Sequence, residues 1–468
     1  MPDTSRISYW LPITQFLTAI GFLLALVLLA HLLRSKRSPA STISWLLVIV
    51  LLPYVGVPLY LMLGGRKMRR MASRKEMVYS PEDVSREGEF GAGTERILRS
   101  FGVPPATKGN RIELLTEGVE AYRELLRIID SARLTLHMTT YILATDEVGE
   151  AVVALLAAKA REGVQVRVLL DALGSWRTSW RFLAPLMEAG GKVSFFMPVW
   201  HLPFRGRTNL RNHRKIVVAD GRVALAGGMN VAVEYMGSRA DPKRWKDLSL
   251  VVEGPASADL DDVFWSDWSF ATGERLPEGL PRALAEENSG DAIAQVVASG
   301  PDVAGDPLYE SLVALLFAAR ERIWVVTPYF VPDEILARAL ELAARRGVEV
   351  RLVIPNRSNH VTADLARVGY LRPIHEAGGR IFRYRPTMVH AKVIVVDNEL
   401  AVVGSANMDM RSLFLNYEVA LFLYGSGQIK ATQVWVESLL SECRPGLSRQ
   451  NWWLQLVENV VRLLSPLL

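Results

Sequence analysis

Two short segments of the chain contain histidine, lysine and aspartate at the same spacing. The residues are His213, Lys215, Asp220, Gly227 and Asn230 in the first segment, and His390, Lys392, Asp397, Gly404 and Asn407 in the second. Every member of the first set recurs 177 residues later. A single His-x-Lys pair is common in exposed strands, but five identities in register, found twice, indicate a duplicated functional unit.

The residue types in these segments suit the binding and transfer of a phosphate group. Two imidazoles can serve as nucleophile and general acid. Two ammonium groups and two Asn amides can hold the oxygens of a phosphate. No cluster of carboxylates accompanies the segments, which argues against a catalytic metal, and no cofactor is predicted.

An apolar run follows each lysine and predicts a β-strand. Residues i and i+2 of a strand share a face, so each His and Lys pair can point into one cleft. The Asp-Gly and Asp-Asn pairs at the far ends of these strands predict tight turns. Asp220 and Asp397 belong to the candidate catalytic set by their spacing, but this position favours a role in bracing the turn.

Further blocks recur in the same order in both parts of the chain. The pairs are YILATDE at Tyr141 with YFVPDE at Tyr329, GVQVRVLL at Gly163 with GVEVRLVI at Gly347, and LAPLMEAGGKV at Leu183 with LRPIHEAGGRI at Leu371. Short apolar runs alternate with helical stretches rich in Ala, Leu and Arg. This pattern predicts two successive α/β halves, each with a mixed or parallel sheet covered by helices.

The N-terminus contains two apolar runs, from Leu11 to Leu33 and from Ile43 to Leu63, without Asp, Glu, Lys or Arg. Each is long enough to cross ~30 Å of hydrocarbon as a helix. Together they predict a transmembrane helical hairpin. A secretory signal is the alternative for the first run, but its leading segment carries only Arg6, and a second apolar run follows at once.

Charged residues around these runs predict their orientation. The connecting loop carries three Lys or Arg residues, whereas the two outer flanks carry seven. Because basic residues collect on the cytoplasmic side, the catalytic region is expected in the cytoplasm. The net charge of +5 favours an anionic partner, either acidic lipid or nucleic acid, and the apolar runs favour lipid. The single cysteine, Cys443, excludes an internal disulfide.

The composition of the chain divides it into six predicted regions. They are a hairpin at 1–65, a basic flank and linker at 66–110, a first α/β half at 111–272, a connector at 273–292, a second half at 293–445 and an amphipathic segment at 446–468. The last region has apolar residues at helical spacing, which suits either the bilayer surface or packing against the second half. The sequence predicts no oligomeric state.

The doubled motif is identified as the HKD signature of the phospholipase D superfamily, and the whole chain resembles the bacterial cardiolipin synthase family. The likeness includes PLYLMLGGRK after the second apolar run, NHRK around His213, VEGP at Val252 and the terminal LLSPLL. It implies an α/β fold with two pseudo-symmetric phospholipase D-like halves behind an N-terminal transmembrane hairpin. It also implies a multi-pass protein of the bacterial cytoplasmic membrane.

The resemblance implies a phosphohistidine mechanism. His213 is expected to attack the phosphodiester, because the superfamily usually uses the first motif for attack. His390 is expected to protonate the leaving alcohol and later to deprotonate the acceptor. The residues expected to bind the phosphoryl oxygens and stabilise the developing charge are Lys215, Lys392, Asn230 and Asn407.

Two downstream carboxylates are expected to orient the histidines. The segments KDLSLVVEG and YEVALFLYG align so that Asp247 corresponds to Glu418, each seven residues before a glycine. An imidazole held by an acid has its tautomer fixed and its cation stabilised, as a nucleophile requires.

The implied reaction transfers a phosphatidyl group between two molecules of phosphatidylglycerol and gives cardiolipin and glycerol. A phospholipase D that releases phosphatidic acid is an alternative, because hydrolases and transferases share these motifs. A membrane-anchored phosphodiesterase or nuclease is another, which the basic charge permits. The apolar runs and the lack of a long basic and aromatic stripe count against nucleic acid. The expected partners are therefore phosphatidylglycerol and membrane lipid.

Overall fold

The structure is a computed structural model that describes residues 39–52, 93–197, 210–275 and 289–447, together with ten isolated positions before residue 80. Most of the predicted hairpin and of the segment 446–468 lies outside these residues. Helix α1 (Pro39–Leu51) covers part of the second apolar run. Among the described residues, no helix has both the length and the apolar character needed to cross a bilayer.

Strands and helices alternate along the first half of the chain, as predicted. The elements are α2 (Thr94–Ser100), β1 (Thr107–Leu115), α3 (Gly118–Ser131), β2 (Thr135–Thr140), α4 (Glu147–Arg161), β3 (Gln165–Asp171), α5 (Trp180–Glu188), β4 (Lys192–Phe196), β5 (Ile216–Ala219), β6 (Val223–Gly227), β7 (Ser249–Glu253) and α6 (Pro255–Thr272).

The second half repeats this order. Its elements are β8 (Ala292–Ser299), α7 (Pro307–Ala318), β9 (Arg322–Val326), β10 (Phe330–Val331), α8 (Glu334–Arg345), β11 (Glu349–Pro355), α9 (Val361–Glu376), β12 (Arg380–Tyr384), β13 (Val393–Val396), β14 (Leu400–Gly404), β15 (Met408–Asp409), α10 (Met410–Phe414), β16 (Glu418–Leu423), α11 (Ser426–Leu440) and β17 (Cys443–Pro445).

One mixed sheet of 15 strands runs through both halves. Its order is β17-β12-β11-β9-β13-β14-β16-β8-β1-β7-β6-β5-β2-β3-β4. The halves join where β1 pairs antiparallel with β8, with Asn110 opposite Ala292. Reading outwards from this junction gives equivalent strands on both sides, so the sequence repeat appears as a pseudo-twofold relation within one continuous sheet.

Equivalent helices begin at the aspartate of the repeated TDE and PDE blocks. The Asp146 side chain accepts hydrogen bonds from Val148 N and Gly149 N at the start of α4, both at 3.0 Å. The Asp333 side chain accepts one from Leu336 N at the start of α8, also at 3.0 Å. A carboxylate at this position satisfies N–H groups that have no partner within the helix, so the repeat sets the same helix start twice.

The direction of β5 decides where the first motif lies. This strand runs antiparallel to β2, with Ile216 opposite Thr139 near the carboxyl end of β2. Because β2, β3 and β4 are mutually parallel, the residues just before β5 lie at the edge where those strands end. The same arrangement holds for β13 against β9 in the second half.

Candidate active site

The two histidines lie in extended segments immediately before equivalent strands. His213 and Lys215 precede β5, and His390 and Lys392 precede β13. The apolar runs after the lysines form these strands, as the sequence predicts. The backbone N–H of His213 donates to Tyr417 O at 2.9 Å, and that of His390 donates to Lys246 O at 2.7 Å. Each motif is therefore held by the opposite half of the chain.

A carboxylate from the opposite half also contacts each imidazole. His213 Nδ1 lies 3.1 Å from Glu418 Oε2, and His390 Nδ1 lies 2.7 Å from Asp247 Oδ2. Both carboxylates are fully enclosed. A carboxylate at Nδ1 favours the tautomer that carries its proton there and leaves Nε2 as the basic nitrogen. The crossed pairing makes one site from two halves, because neither histidine has its carboxylate without the other half.

Both imidazoles are disposed to be neutral near pH 7. Burial lowers the pKa of His213, and the nearby ammonium groups lower it further against the opposing effect of Glu418. Burial and Lys392 lower the pKa of His390 to about 3, although Asp247 acts in the other direction. A neutral imidazole has the free electron pair that a nucleophile needs.

The two lysines are buried beside the histidines. Lys215 Nζ donates to His213 O at 2.6 Å, and Lys392 Nζ lies 2.8 Å from His390 Nδ1. Burial lowers the pKa of Lys215 to about 7 and that of Lys392 to about 8, against the attraction of the carboxylates. Cations that are poorly solvated in this way gain from binding a phosphate anion, which supplies the missing charge.

The two carboxylates keep their charge in spite of burial. Burial alone would raise the pKa of Asp247, but Lys392 and His390 outweigh it and the pKa is lowered. The pKa of Glu418 is likewise lowered, because His213 and Lys215 outweigh the effect of burial. Two carboxylates therefore face two lysines, and an additional phosphate anion would be balanced by protonation of an imidazole.

The two predicted phosphate-binding asparagines have different contacts. Asn230 Oδ1 accepts a hydrogen bond from Ile142 N at 3.2 Å. Asn407 Nδ2 donates to Ser412 Oγ at 3.1 Å. Asn407 and Lys392 line the same small cavity, and Asn407 Oδ1 has no hydrogen-bond partner among the described residues. Asn407 thus lies in a shared cavity with the lysine of its own motif.

Asp220 and Asp397 lie at the opposite ends of β5 and β13 from the histidines. Both have positive φ, at 56° and 51°, in the turns after these strands. Three backbone N–H groups donate to each carboxylate at 2.7 to 3.0 Å. In the first half these come from residues 133–135, at the start of β2, and in the second from residues 320–322. Each aspartate therefore ties its turn to a neighbouring strand.

Several residues around the histidines were not predicted from the sequence. Ser405 Oγ donates to Glu418 Oε2 at 2.5 Å. The ring of Tyr141 lies 4.8 Å from that of His213, and the rings of Tyr235 and Trp245 lie 5.1 and 5.4 Å from that of His390. Tyr141 opens a repeated block, and that recurrence could have marked it. The others have no repeated counterpart that would have distinguished them.

A buried ion cluster supports the first motif from behind. Arg214, between His213 and Lys215, pairs with Asp267 at 2.6 Å. The same guanidinium donates to the main-chain carbonyl of Glu418 at 2.9 Å, the residue whose carboxylate contacts His213. Burial lowers the pKa of Arg214, but Asp267 and the other acidic neighbours outweigh this effect, so the pKa is raised. The pKa of Asp267 is lowered, because Arg214 and Lys75 outweigh the effect of its burial.

The cluster extends to the segment that follows the apolar N-terminus. Lys75 pairs with Asp267 and, at 2.7 Å, with Asp302, which follows β8. Asn212 Nδ2 donates to Asp267 Oδ2 at 2.8 Å. All these side chains are buried. The residue before His213 and the residue after it are therefore both held by Asp267, which Lys75 also contacts.

The chain is similar to a known protein family. It matches the family described as cardiolipin synthase, phospholipase D-like domain, over residues 125–268 and 312–440. These two segments contain more than half of the chain. The chain belongs to this family. The family domain matches the chain twice, once in each half, and the protein is therefore an enzyme of the phospholipase D superfamily.

Relatives of the family extend over nearly the whole chain. A cardiolipin synthase of Geobacillus kaustophilus is 37% identical over 457 residues, with 92% of this chain and 90% of the relative covered. Cardiolipin synthase 1 of Bacillus cereus is 34% identical over 461 residues, with the same coverage. Residues 23–65 also match the phospholipase D-nuclease N-terminal family.

The fold is similar to that of a solved superfamily structure. The phosphatidylserine synthase of Haemophilus influenzae superposes with a TM-score of 0.61 at 17% sequence identity. The match covers 80% of this chain and all of that one. At this identity the likeness concerns the fold, which is an α/β architecture with a large mixed sheet flanked by helices.

Proposed function

We propose that the protein transfers a phosphatidyl group from one phosphatidylglycerol to the terminal hydroxyl of another, giving cardiolipin and glycerol. The crossed histidine and carboxylate pairs carry the proposal, because they put two oriented imidazoles and two buried lysines into one site. Family membership supports the choice of lipid, since the two relatives described above, at 34 and 37% identity, are cardiolipin synthases. Phosphatidylglycerol is both the donor and the acceptor of the phosphatidyl group in this reaction.

In the first step, Nε2 of His213 attacks the phosphorus, and the bond from phosphorus to the head-group glycerol oxygen breaks. The imidazolium of His390 gives its proton to that oxygen, and glycerol leaves. Glu418 stabilises the cationic phosphohistidine through Nδ1 of His213. The bound phosphodiester raises the pKa of His390 by countering the repulsion from Lys392, so that its proton is available when substrate is present.

In the second step, the glycerol hydroxyl of another phosphatidylglycerol attacks the phosphorus. Neutral His390 takes the hydroxyl proton, the bond from phosphorus to His213 breaks, and cardiolipin is released. Lys215, Lys392 and the Nδ2 groups of Asn230 and Asn407 hold the non-bridging oxygens through both steps, while Asn230 Oδ1 keeps its hydrogen bond from Ile142 N. Asp220 and Asp397 act on the strand turns and contact no substrate.

The protein is proposed to work at a membrane through its N-terminus. The two runs without acidic or basic residues, and the excess of Lys and Arg outside the hairpin, support a hairpin with both ends in the cytoplasm. The match over residues 23–65 lies within the same region. Alkaline phosphatase and green fluorescent protein fused after residue 447 test the orientation: fluorescence without phosphatase activity is expected, and the opposite result contradicts it.

The reaction is tested with labelled phosphatidylglycerol and the purified full chain in vesicles. We expect labelled cardiolipin and free glycerol from the wild type and neither from His213→Ala. His375→Ala is the matched control. Among the described residues, the hydrogen bond of the His375 ring is with Gly379 O, just after the end of α9. Phosphatidic acid as the main product would show that water is the acceptor and that the protein is a hydrolase.

The roles of the two histidines are tested with a phosphatidyl ester of p-nitrophenol. This leaving group needs no proton, so His390→Ala should still release one equivalent of p-nitrophenol per site, and His213→Ala should release none. Neither variant should carry lipid label that is stable in acid. In the His390→Ala protein, label that is stable in base should remain on His213. A burst from His213→Ala but not from His390→Ala would exchange the two roles.

A further inference from the structure

The loop between β3 and α5, together with the first two residues of α5, exposes a set of large apolar side chains. Leu173, Trp176 and Trp180 are 43%, 69% and 53% exposed. Residues 172–181, which we call the mouth loop, contain no Asp or Glu, whereas Arg177 and Arg181 are both exposed. The Arg177 guanidinium lies 5.0 Å from the ring centre of Trp176. Large aromatic surface with adjacent positive charge is the composition of a bilayer-surface contact.

The mouth loop packs directly on a residue that contacts His213. Ser175 Oγ donates to Tyr141 O at 3.0 Å, and a Cβ at Gly174 would lie 2.2 Å from the same oxygen. The ring of Tyr141 in turn lies 4.8 Å from that of His213. A single residue therefore separates the loop from the histidine that is proposed to carry the phosphatidyl group.

The equivalent loop of the second half is polar up to the start of α9, where Val361 is exposed. It follows β11 and reads Asn-Arg-Ser-Asn-His at residues 356–360. Tyr329, the counterpart of Tyr141, contacts Asn359 Oδ1 through its hydroxyl at 2.5 Å and packs 5.2 Å from the ring of His360. The fold accepts either an apolar or a polar loop at this position. The exposed tryptophans are therefore not needed to form the site and require another explanation.

We propose that the mouth loop inserts Leu173, Trp176 and Trp180 into the interface of a bilayer containing anionic phospholipid. Arg177 and Arg181 pair with lipid phosphates, and the cleft at His213 opens towards the lipid surface. The lipid substrate reaches His213 from this side, while the polar loop of the second half borders the side from which glycerol leaves to water. This inference rests on the proposed function for its choice of lipid as the substrate.

The position of the mouth loop can be measured without turnover. In a Cys443→Ser background, Trp176→Cys provides a single site for a fluorescent label, and Phe317→Cys, 39% exposed in α7, provides the control. Each full-length protein is reconstituted in vesicles of phosphatidylcholine with phosphatidylglycerol. Lipids with a nitroxide near the head group should quench the label at position 176 and leave that at position 317 unaffected.

Two results would overturn the proposal. Equal quenching at both positions would show that the mouth loop has no preferred contact with lipid. A label at position 176 that is shielded from both nitroxide lipid and aqueous iodide would show that another segment of the chain covers the loop. Since neither result depends on catalysis, a protein that fails to make cardiolipin can still show the predicted quenching, and the two hypotheses fail separately.

Activity on two physical forms of one substrate completes the test. Trp176→Ser/Trp180→Ser should lower the turnover of phosphatidylglycerol in vesicles about tenfold. The turnover of short-chain phosphatidylglycerol, dissolved below its micelle concentration, should be unchanged. Leu134→Ser/Phe317→Ser removes comparable exposed side chains elsewhere and should affect neither substrate. Equal losses on both substrates would assign the tryptophans to the site itself and contradict the proposal.

Discussion

The two His-x-Lys segments contain the same reacting groups but differ in the residues beside them. In the first half, Asn212 and Arg214 flank the histidine and both contact Asp267. In the second half, the equivalent positions are Val389 and Ala391, which are buried apolar residues. The second histidine is packed by two aromatic rings, whereas the first is packed by one and also has a polar support that reaches the N-terminal segment.

This difference indicates which features the chemistry requires twice. Both halves keep an imidazole, an ammonium group and a buried carboxylate, since both must handle a proton and the phosphoryl charge. The support behind them has diverged, because any buried arrangement that holds the backbone is sufficient. Changes to the shared groups should therefore lower activity in whichever half they are made. Changes to the support should have different effects in the two halves.

The largest effect is expected from the crossed carboxylates. Glu418→Gln and Asp247→Asn should each lower turnover of phosphatidylglycerol on the order of 10³-fold, because an amide favours the wrong imidazole tautomer and cannot stabilise the imidazolium. With the p-nitrophenyl ester, the first burst should be lost in Glu418→Gln and kept in Asp247→Asn. Equal bursts from both variants would show that the two halves do not have separate roles.

Removal of the central cation of the ion cluster should mainly affect stability. Arg214→Met leaves Asp267 and Asp302 buried with Lys75 as the one remaining cation among the described residues of the cluster, and should lower the free energy of unfolding by about 3 to 5 kcal/mol. The exposed Arg338, paired with Glu341, is the control, and Arg338→Met should change it by less than about 0.5 kcal/mol. Denaturant unfolding followed by tryptophan fluorescence measures both. Similar losses of unfolding free energy in the two variants would mean that the buried cluster stabilises the protein no more than an exposed ion pair does.

The reach of the cluster into the N-terminal segment is tested at Lys75. Lys75→Met should lower the free energy of unfolding by about 3 kcal/mol, since it removes the cation that is paired directly with the buried carboxylate of Asp302. Lys75→Met/Asp302→Asn should recover at least about 1 kcal/mol of that loss, because the neutral amide needs no cation. If the double variant loses the sum of the two single effects, Lys75 and Asp302 are not coupled and the contact is unimportant.

A smaller effect is expected from a hydrogen bond that only the second half supplies. Ser405→Ala removes the hydroxyl that donates to Glu418 and should lower turnover about tenfold. The first half has Gly228 at the equivalent position, where a Cβ would lie 2.2 Å from Asp247 Oδ1. Ser405→Thr keeps the hydroxyl and should retain more activity than Ser405→Ala; the reverse order would indicate that packing, not the hydrogen bond, is important.

The smallest effect is a shift in pH dependence. The lysines bind phosphate as ammonium ions, and their pKa values of about 7 for Lys215 and about 8 for Lys392 mean that these cations are lost as the pH rises through this range. The value of kcat/KM should therefore fall on the alkaline side. Lys215 has the lower pKa and sets the start of this fall, so Lys215→Arg, which stays protonated, should move it to higher pH relative to the wild type. An unchanged alkaline limb would assign it to another group.

Several elements of the fold were predictable because they depend on neighbouring residues. The apolar runs after Lys215 and Lys392 form the predicted strands, and the recurring aspartates Asp146 and Asp333 begin equivalent helices. Local alternation of apolar residues and the capping carboxylate act within a few positions, so a single sequence contains the necessary information. The recurrence of whole blocks extended this to the prediction of two α/β halves.

The sequence alone determined the reacting groups and the family, since spacing and recurrence are properties of the chain. Only the tertiary structure decided that His213 pairs with Glu418 and His390 with Asp247, that both halves share one sheet, and that Lys75 reaches Asp267. These contacts join residues 143 to 205 positions apart. Local periodicity says nothing about such separations, because they depend on the antiparallel pairing of β1 with β8 and on the burial of charges that must find partners.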